Sequence, residues 1–278
     1  MTRTRISSYV GPGQEINDPS LLSRYENKNW IAEKKYDGIW CLVETNDDGY
    51  VENLSTRTGV KIIDKKIINK YFGIPNSKFI VEYESLTEPS QQAIASRGFA
   101  CMYMFDVLQI VGKETKDFEF QKRTELVKTA CDIIKANNNQ FMICAEQKDI
   151  EFENFFWKCL EDPIAEGIVL KRLDKSYRAQ TSSGKTDDWI RVKLKRTVDL
   201  YVMSTGLTDN RSPNLTMGMV RDGNMVEVQS MSVPKGFKAK DLVGKVLECN
   251  YDRKHNSERY RHLRFKRVRS DKTKEMTG

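Results

Sequence analysis

The chain has 278 residues, 39% hydrophobic and 31% charged. That is enough apolar material for one large core or two moderate ones, and too much for a disordered chain. No apolar run approaches the roughly 18 residues of a membrane span, and the N-terminal MTRTRISSYVGPGQ lacks the apolar stretch of a secretory signal. Forty-six Lys+Arg against 39 Asp+Glu give a formal charge of +7, which suits a polyanionic partner without specifying one.

The charge is unevenly spread: ten Lys/Arg and three acids lie between Asp252 and Lys274. Of the six cysteines, the nearest two are Cys131 and Cys144, thirteen positions apart, so no CxxC zinc site exists. Scattered cysteines read as reduced thiols, and the expected compartment is cytoplasmic. The two histidines, His255 and His262, both fall in the basic stretch. A Ser-His-Asp triad or a multi-histidine metal site in the body of the chain is thereby excluded.

In chain order, residues 29–45 (NWIAEKKYDGIWCLVET) read as two strands meeting at Tyr36-Asp37-Gly38. Asn46-Asp47-Asp48-Gly49 is a hairpin turn into a strand over 50–56. The apolar runs 79–84 and 101–110 are strands. Leu126, Ala130, Ile133 and Ile134 recur at helical spacing over 121–136, closed by Asn137-Asn138-Asn139, and 149–160 is a second amphipathic helix. Strands follow at 168–173 and 189–195, with a polar loop over 179–188 between them. Beyond Lys195 come short strands at 199–206, 216–221, 225–230, 245–252 and 261–268, the texture of a small antiparallel barrel. The expectation is an α+β fold in two domains, 1–197 and 198–278.

The sharpest local signal is Lys35-Tyr36-Asp37-Gly38, a turn with a lysine at its strand end. Alone it reads as a solvated turn. It is followed in order by Thr56-Arg57-Thr58-Gly59, Val81-Glu82-Tyr83-Glu84, Phe105-Asp106-Val107-Leu108, Glu166-Gly167-Ile168-Val169-Leu170-Lys171, Trp189-Ile190-Arg191-Val192-Lys193 and Arg269-Ser270-Asp271-Lys272. This ordered series, from about Trp30 to Lys272, resembles the covalent nucleotidyltransferases, and among them the ATP-dependent DNA ligases of small viral or bacterial type.

The resemblance implies an adenylation domain with antiparallel sheets, followed by an OB-fold domain. It implies sealing of 5′-phosphate/3′-hydroxyl nicks in duplex DNA by a monomer, through a lysine–AMP intermediate on Lys35, with ATP and Mg²⁺ (or Mn²⁺). Deprotonating a lysine at pH 7 costs roughly 4–5 kcal/mol, so the chemistry calls for nearby cations. Lys171, Arg191 and Lys193 are candidates for that task and for gripping phosphates. Glu84 and Glu166 match ribose- or metal-facing glutamates, since carboxylate oxygens suit Mg²⁺. Phe105 matches a purine-stacking aromatic, and Glu33, on the same side of the strand as Lys35, an acid that reads the adenine amino group. Arg57 matches a position that contacts ribose and nucleic acid, and Arg269 with Lys272 the element that touches the leaving pyrophosphate.

One departure stands out. Trp40 occupies the place, two residues after the glycine, where DNA ligases carry arginine. An RNA ligase or a guanylyl-transferring capping enzyme is the alternative enzyme, and an OB-type nucleic-acid-binding protein the non-enzyme alternative. With only 34 residues before Lys35 and no zinc cysteines, an NAD-dependent ligase is not expected.

Overall fold

The computed structural model describes residues 9–84, 88–137, 139–254 and 259–277. It divides into two compact units between Lys193 and Leu194. His255 lies outside the described residues. No helix among the described residues is long and apolar enough to cross a membrane.

The first unit opens with β1 (Gly11–Ile16) and a 3₁₀ turn over Pro19–Tyr25, started by the Asp18 carboxylate, which accepts from the Ser20 N–H at 3.1 Å. The strands β2 (Trp30–Tyr36) and β3 (Gly38–Thr45) flank Asp37. β4 (Val51–Thr56), β5 (Lys78–Glu84), α1 (Glu88–Arg97), β6 (Met102–Ile110), β7 (Lys113–Glu114) and α2 (Phe120–Ala136) follow. The unit continues through β8 (Met142–Cys144), β9 (Gln147–Lys148), α3 (Phe152–Glu161), β10 (Ala165–Arg172) and β11 (Lys185–Val192).

Two sheets result, ordered β1-β11-β10-β2-β9 and β4-β3-β5-β6-β7, the second with β8 added against β6. Both are antiparallel except for the parallel pairs β1–β11 and β6–β8. Strand alternation decides what each face of the second sheet meets. Cys41 and Val43 of β3, Phe79 and Val81 of β5, and Met102 and Met104 of β6 pack on Val127, Ala130 and Ile134 of α2. The alternate residues Leu42 and Ile80 meet Val169 and Trp189 of the first sheet, joined by Leu108 beyond a register shift in β6 after Met104, with Trp40 and Phe105 packed alongside. The space between the two sheets is where the cavity opens.

Two glycines are required by close approach. A Cβ on Gly167 would lie 2.2 Å from the Val192 carbonyl oxygen and 3.2 Å from Phe156 of α3, and its φ is +137°. A Cβ on Gly38 would meet the Tyr83 carbonyl oxygen at 2.4 Å. Both sit where chemistry-bearing strands cross tightly packed neighbours.

Two expectations are corrected here. The loop over 179–188 gives way to β11 at Lys185, four residues before the expected start at 189, because β1 pairs with Lys185 and Thr186, ahead of the stretch that β10 partners. That strand stops at Val192, so Lys195 lies outside it.

The second unit comprises β12 (Arg196–Leu207), β13 (Pro213–Arg221), β14 (Asn224–Ser232), β15 (Val246–Tyr251), the short pair β16 (Arg253–Lys254) and β17 (Tyr260–Arg261), and β18 (Arg264–Val268). The main sheet runs β14-β13-β12-β15-β18, all antiparallel, around Leu200, Val202, Leu215, Met217, Leu247 and Cys249. Among the described residues no pairing joins β14 to β18, so the sheet is open where a closed barrel was expected.

Candidate active site

The first unit holds a cavity of about 600 Å³ lined by residues from β1, β2, β3, β5, β6, β10 and β11. At one end the Lys35 ammonium donates to Glu166 Oε2 at 2.6 Å. Lys193 meets the same oxygen at 2.7 Å. The pairing Gly167↔Lys35 sets Glu166 beside the nucleophile candidate, and the close approach at Gly167 holds the strands there.

Glu82, which sequence reasoning passed over, shares this end. It follows Ile80 on the cavity face of β5, and its Oε1 accepts from the Gly38 N–H at 3.2 Å. Burial pushes its carboxyl up to about 7, with the Lys35 charge opposing and the Glu166 charge adding. Glu166 is held at about 2: burial would raise it, but the charges and hydrogen bonds of Lys35 and Lys193 outweigh that. For Lys35, burial favours the neutral amine, yet the charges of Glu166 and Glu82 prevail and its pKa lies above the ordinary value.

At the other end Glu33 forms a buried ion pair with Lys171 and accepts from Gln147 Nε2 at 2.8 Å. Burial raises its pKa, against the Lys171 charge. The Lys171 Nζ lies 4.6 Å from the ring centroids of Phe105 and Trp189 and 4.9 Å from that of Phe120. Three aromatic faces and a carboxylate thus compensate a lysine that is 1% exposed.

The structure brings Lys35, Glu166 and Lys193 together, and Glu33, Phe105 and Lys171 together. Lys171 was expected among the phosphate-gripping cations near Lys35. Its backbone lies across from Ile31, four residues along β2 from Lys35, and its ammonium is bonded to Glu33. Arg191 lines the cavity and pairs with Glu15 of β1 at 2.5 Å. Arg57 lines the cavity as well, its guanidinium 5.6 Å from the Tyr9 ring centroid. Trp40 also lines the cavity, edge-on to Tyr9 with centroids 5.4 Å apart.

Glu84 is corrected. It does not line the cavity. Its buried carboxylate is taken by Arg97 of α1, the Cys101 N–H at 2.8 Å and the Tyr103 hydroxyl at 2.9 Å. Tyr103 in turn stacks on Tyr36, centroids 3.7 Å apart. Glu84 therefore fastens the wall behind the Lys35 turn.

In the second unit Arg269 and Lys272 converge on Asp199, at 3.2 Å and 2.6 Å. Arg269 also binds Asp271 at 2.6 Å.

A family profile, the ATP dependent DNA ligase domain, matches residues 14–193. No curated protein sequence matches the chain. Among solved structures it is similar to a Lig E DNA ligase at 16% identity, covering 95% of this chain and 100% of that one, TM-score 0.62. It is also similar to the ligase domain of LigD from M. tuberculosis at 17% identity, covering 98% and 99%, TM-score 0.53. A third, Pmar-Lig, has 18% identity and TM-score 0.61, over 92% of this chain and 67% of that one. These likenesses are of fold.

Proposed function

The chain belongs to the ATP-dependent DNA ligase family, which seals nicks in duplex DNA through a covalent lysine–AMP intermediate, and from this we propose roles for the cavity residues. Lys35 is the nucleophile. Its Nζ attacks the α-phosphorus of ATP, the P–N bond forms and pyrophosphate leaves; the AMP then passes to the 5′-phosphate of the nick and is displaced by the 3′-hydroxyl. The observation that carries this reading is one cavity lined by Lys35 and Glu82 at one end, where Glu166 pairs with both Lys35 and Lys193, and by Glu33, Lys171 and Phe105 at the other.

The second end suits adenine. Lys171 donates and Glu33 accepts side by side, which matches the ring-nitrogen acceptor and amino donor of adenine; guanine presents the opposite pair. Phe105 supplies the stacking face. At the first end, Glu166 orients Lys35, and Lys193 shares the carboxylate so that a charge-bearing donor stands beside the phosphates. Arg191 and Arg57 line the same cavity.

Lys35 must lose a proton before it attacks. Glu82, with a carboxyl at about 7, is the neighbouring group whose proton affinity is closest to neutrality. The hard oxygens of Glu82 and Glu166 fit Mg²⁺, which is held by one or two carboxylates plus substrate phosphates rather than by an all-protein cage. Bound there, the ion supplies positive charge to the phosphates. We extend the reading to the second unit: an OB-type domain for nucleic acid. The long β12 supports it, pairing with β15 through its first half and β13 through its second, with a register shift at Val202/Ser204 that lets the sheet curl.

The test is incubation with Mg²⁺ and α-labelled ATP or GTP, followed by denaturing electrophoresis. Label is expected on the protein from ATP alone and is expected to vanish in Lys35→Ala. Covalent label from GTP, or labelled Lys35→Ala, would overturn the assignment.

A further inference from the structure

Away from the ligase cavity, two thiols meet on a second, open groove. Cys131 lies on α2 one turn after Val127, so both face the same way. Cys144 ends β8 and donates to the Val127 carbonyl oxygen at 3.8 Å. That carbonyl is the one the Cys131 N–H meets within α2, so the two cysteines are neighbours across the helix and the strand. Both line the groove, beside Lys128, Asp132 and Lys135 of α2.

The remaining cysteines differ in kind. Cys41, Cys101, Cys159 and Cys249 are each 0–1% exposed. Burial pushes Cys101 up to about 11, and Cys159 and Cys249 to about 12. Cys144 alone is lowered, by the neighbouring Cys131 thiol and against burial, with the Lys128 charge assisting, while Cys131, 7% exposed, is pushed up by Cys144 and by burial. Thiolate character, access and an adjacent thiol are what a sulfur needs to be oxidised and then resolved.

We propose that Cys131 and Cys144 form an oxidisable dithiol site, which a hydroperoxide closes into a disulfide between α2 and β8. The Cys144 sulfur attacks a peroxide oxygen, the O–O bond breaks, and one water leaves with a sulfenic acid formed. The Cys131 sulfur then attacks the Cys144 sulfur, the S–O bond breaks, and a second water leaves carrying the Cys131 proton. Two thiols supply the two electrons that reduce one hydrogen peroxide to two waters. Cys144 is in register with Met104 of β6, the residue before Phe105. Gln147, three residues on, is the second partner of Glu33. The bridge therefore forms within the strand segment that backs the adenine end.

The native full chain is treated with hydrogen peroxide, quenched with N-ethylmaleimide in denaturant and digested with trypsin. The peptides 129–135 and 136–148 carry one cysteine each. They are expected joined, two hydrogens lighter, at least tenfold above any other cysteine link. In Cys131→Ser, Cys144 is expected to halt as a sulfenic acid that dimedone traps. Sulfinic acid at Cys144 of the parent without the joined peptide, or both thiols surviving while free glutathione in the same tube is oxidised, would overturn the proposal. The parent protein carries the main readout, so it does not depend on a substituted chain folding.

Discussion

Two glutamates two residues apart on β5 have opposite fates, and the difference is testable. Glu82 reaches the Gly38 amide in the cavity, whereas Glu84 is consumed by Arg97, Cys101 and Tyr103. Glu82→Gln is expected to slow Lys35–AMP formation by on the order of 10²-fold or more with little change in Tm. Glu84→Gln is expected to lose about 1.5–3 kcal/mol of stability, the order of one charge-assisted hydrogen bond, while forming the adduct at near parental rate below its Tm. Rapid-quench adenylation and calorimetry on the pair separate the two. The sequence alone could not, because a period of two nominates both residues equally. What distinguishes them is the arrival of Arg97 from the far end of α1, the next element along the chain. Lys35, by contrast, was legible, because its turn and strand end are local. Lys171 was legible as a strand residue but not as a caged one, since Phe105, Phe120 and Trp189 come from three other segments.

At the scale of elements, the strands that place the site follow from alternation and turn residues, and the misses have physical causes. The segment that forms β1 begins Gly-Pro-Gly and shows no strand pattern; it is a strand because it lies at a sheet edge beside β11, where proline's missing N–H is tolerated. The sequence EPSQQAIASR of α1 has too few apolar residues for any helical stripe. The Glu166-Gly167 crossing is the element-level feature on which geometry depends most. Gly167→Ala adds a Cβ against the Val192 carbonyl at a φ of +137°. It is expected to cost at least about 2 kcal/mol, roughly 4–8 °C in Tm, and to slow adenylation by shifting Glu166 from Lys35. Gly98→Ala, at a φ of +80° with open space around it, is expected to cost less than half as much and to leave adenylation unchanged. Equal losses from the two in calorimetry would remove the crowding argument.

For the whole molecule, the roles proposed above give the two units different parts of one reaction. If Arg269 and Lys272 orient the leaving pyrophosphate, they matter only while ATP is the AMP donor. Arg269→Ala/Lys272→Ala is expected to reduce Lys35–AMP formation by roughly 10- to 150-fold for each charged hydrogen bond removed, and to seal a pre-adenylated nick at close to the parental rate. Both side chains also hold Asp199, so Asp199→Ala serves as the control: it breaks the cluster, keeps both cations, and is expected to preserve adenylation. Equal loss in both sealing assays would assign the pair to stability or DNA binding. The chain also has four tryptophans, and their positions have an optical consequence. Trp40 and Trp189 line the cavity, while Trp30 and Trp157 do not. Trp189 is ringed by Phe105, Phe120 and Tyr177 and faces the Lys171 ammonium. A purine stacking on Phe105 changes the surroundings of that indole, so intrinsic fluorescence reports occupancy of the adenine end without any label. In Lys35→Ala, which binds without reacting, ATP is expected to produce a saturable emission change, absent with GTP and abolished by Trp189→Phe.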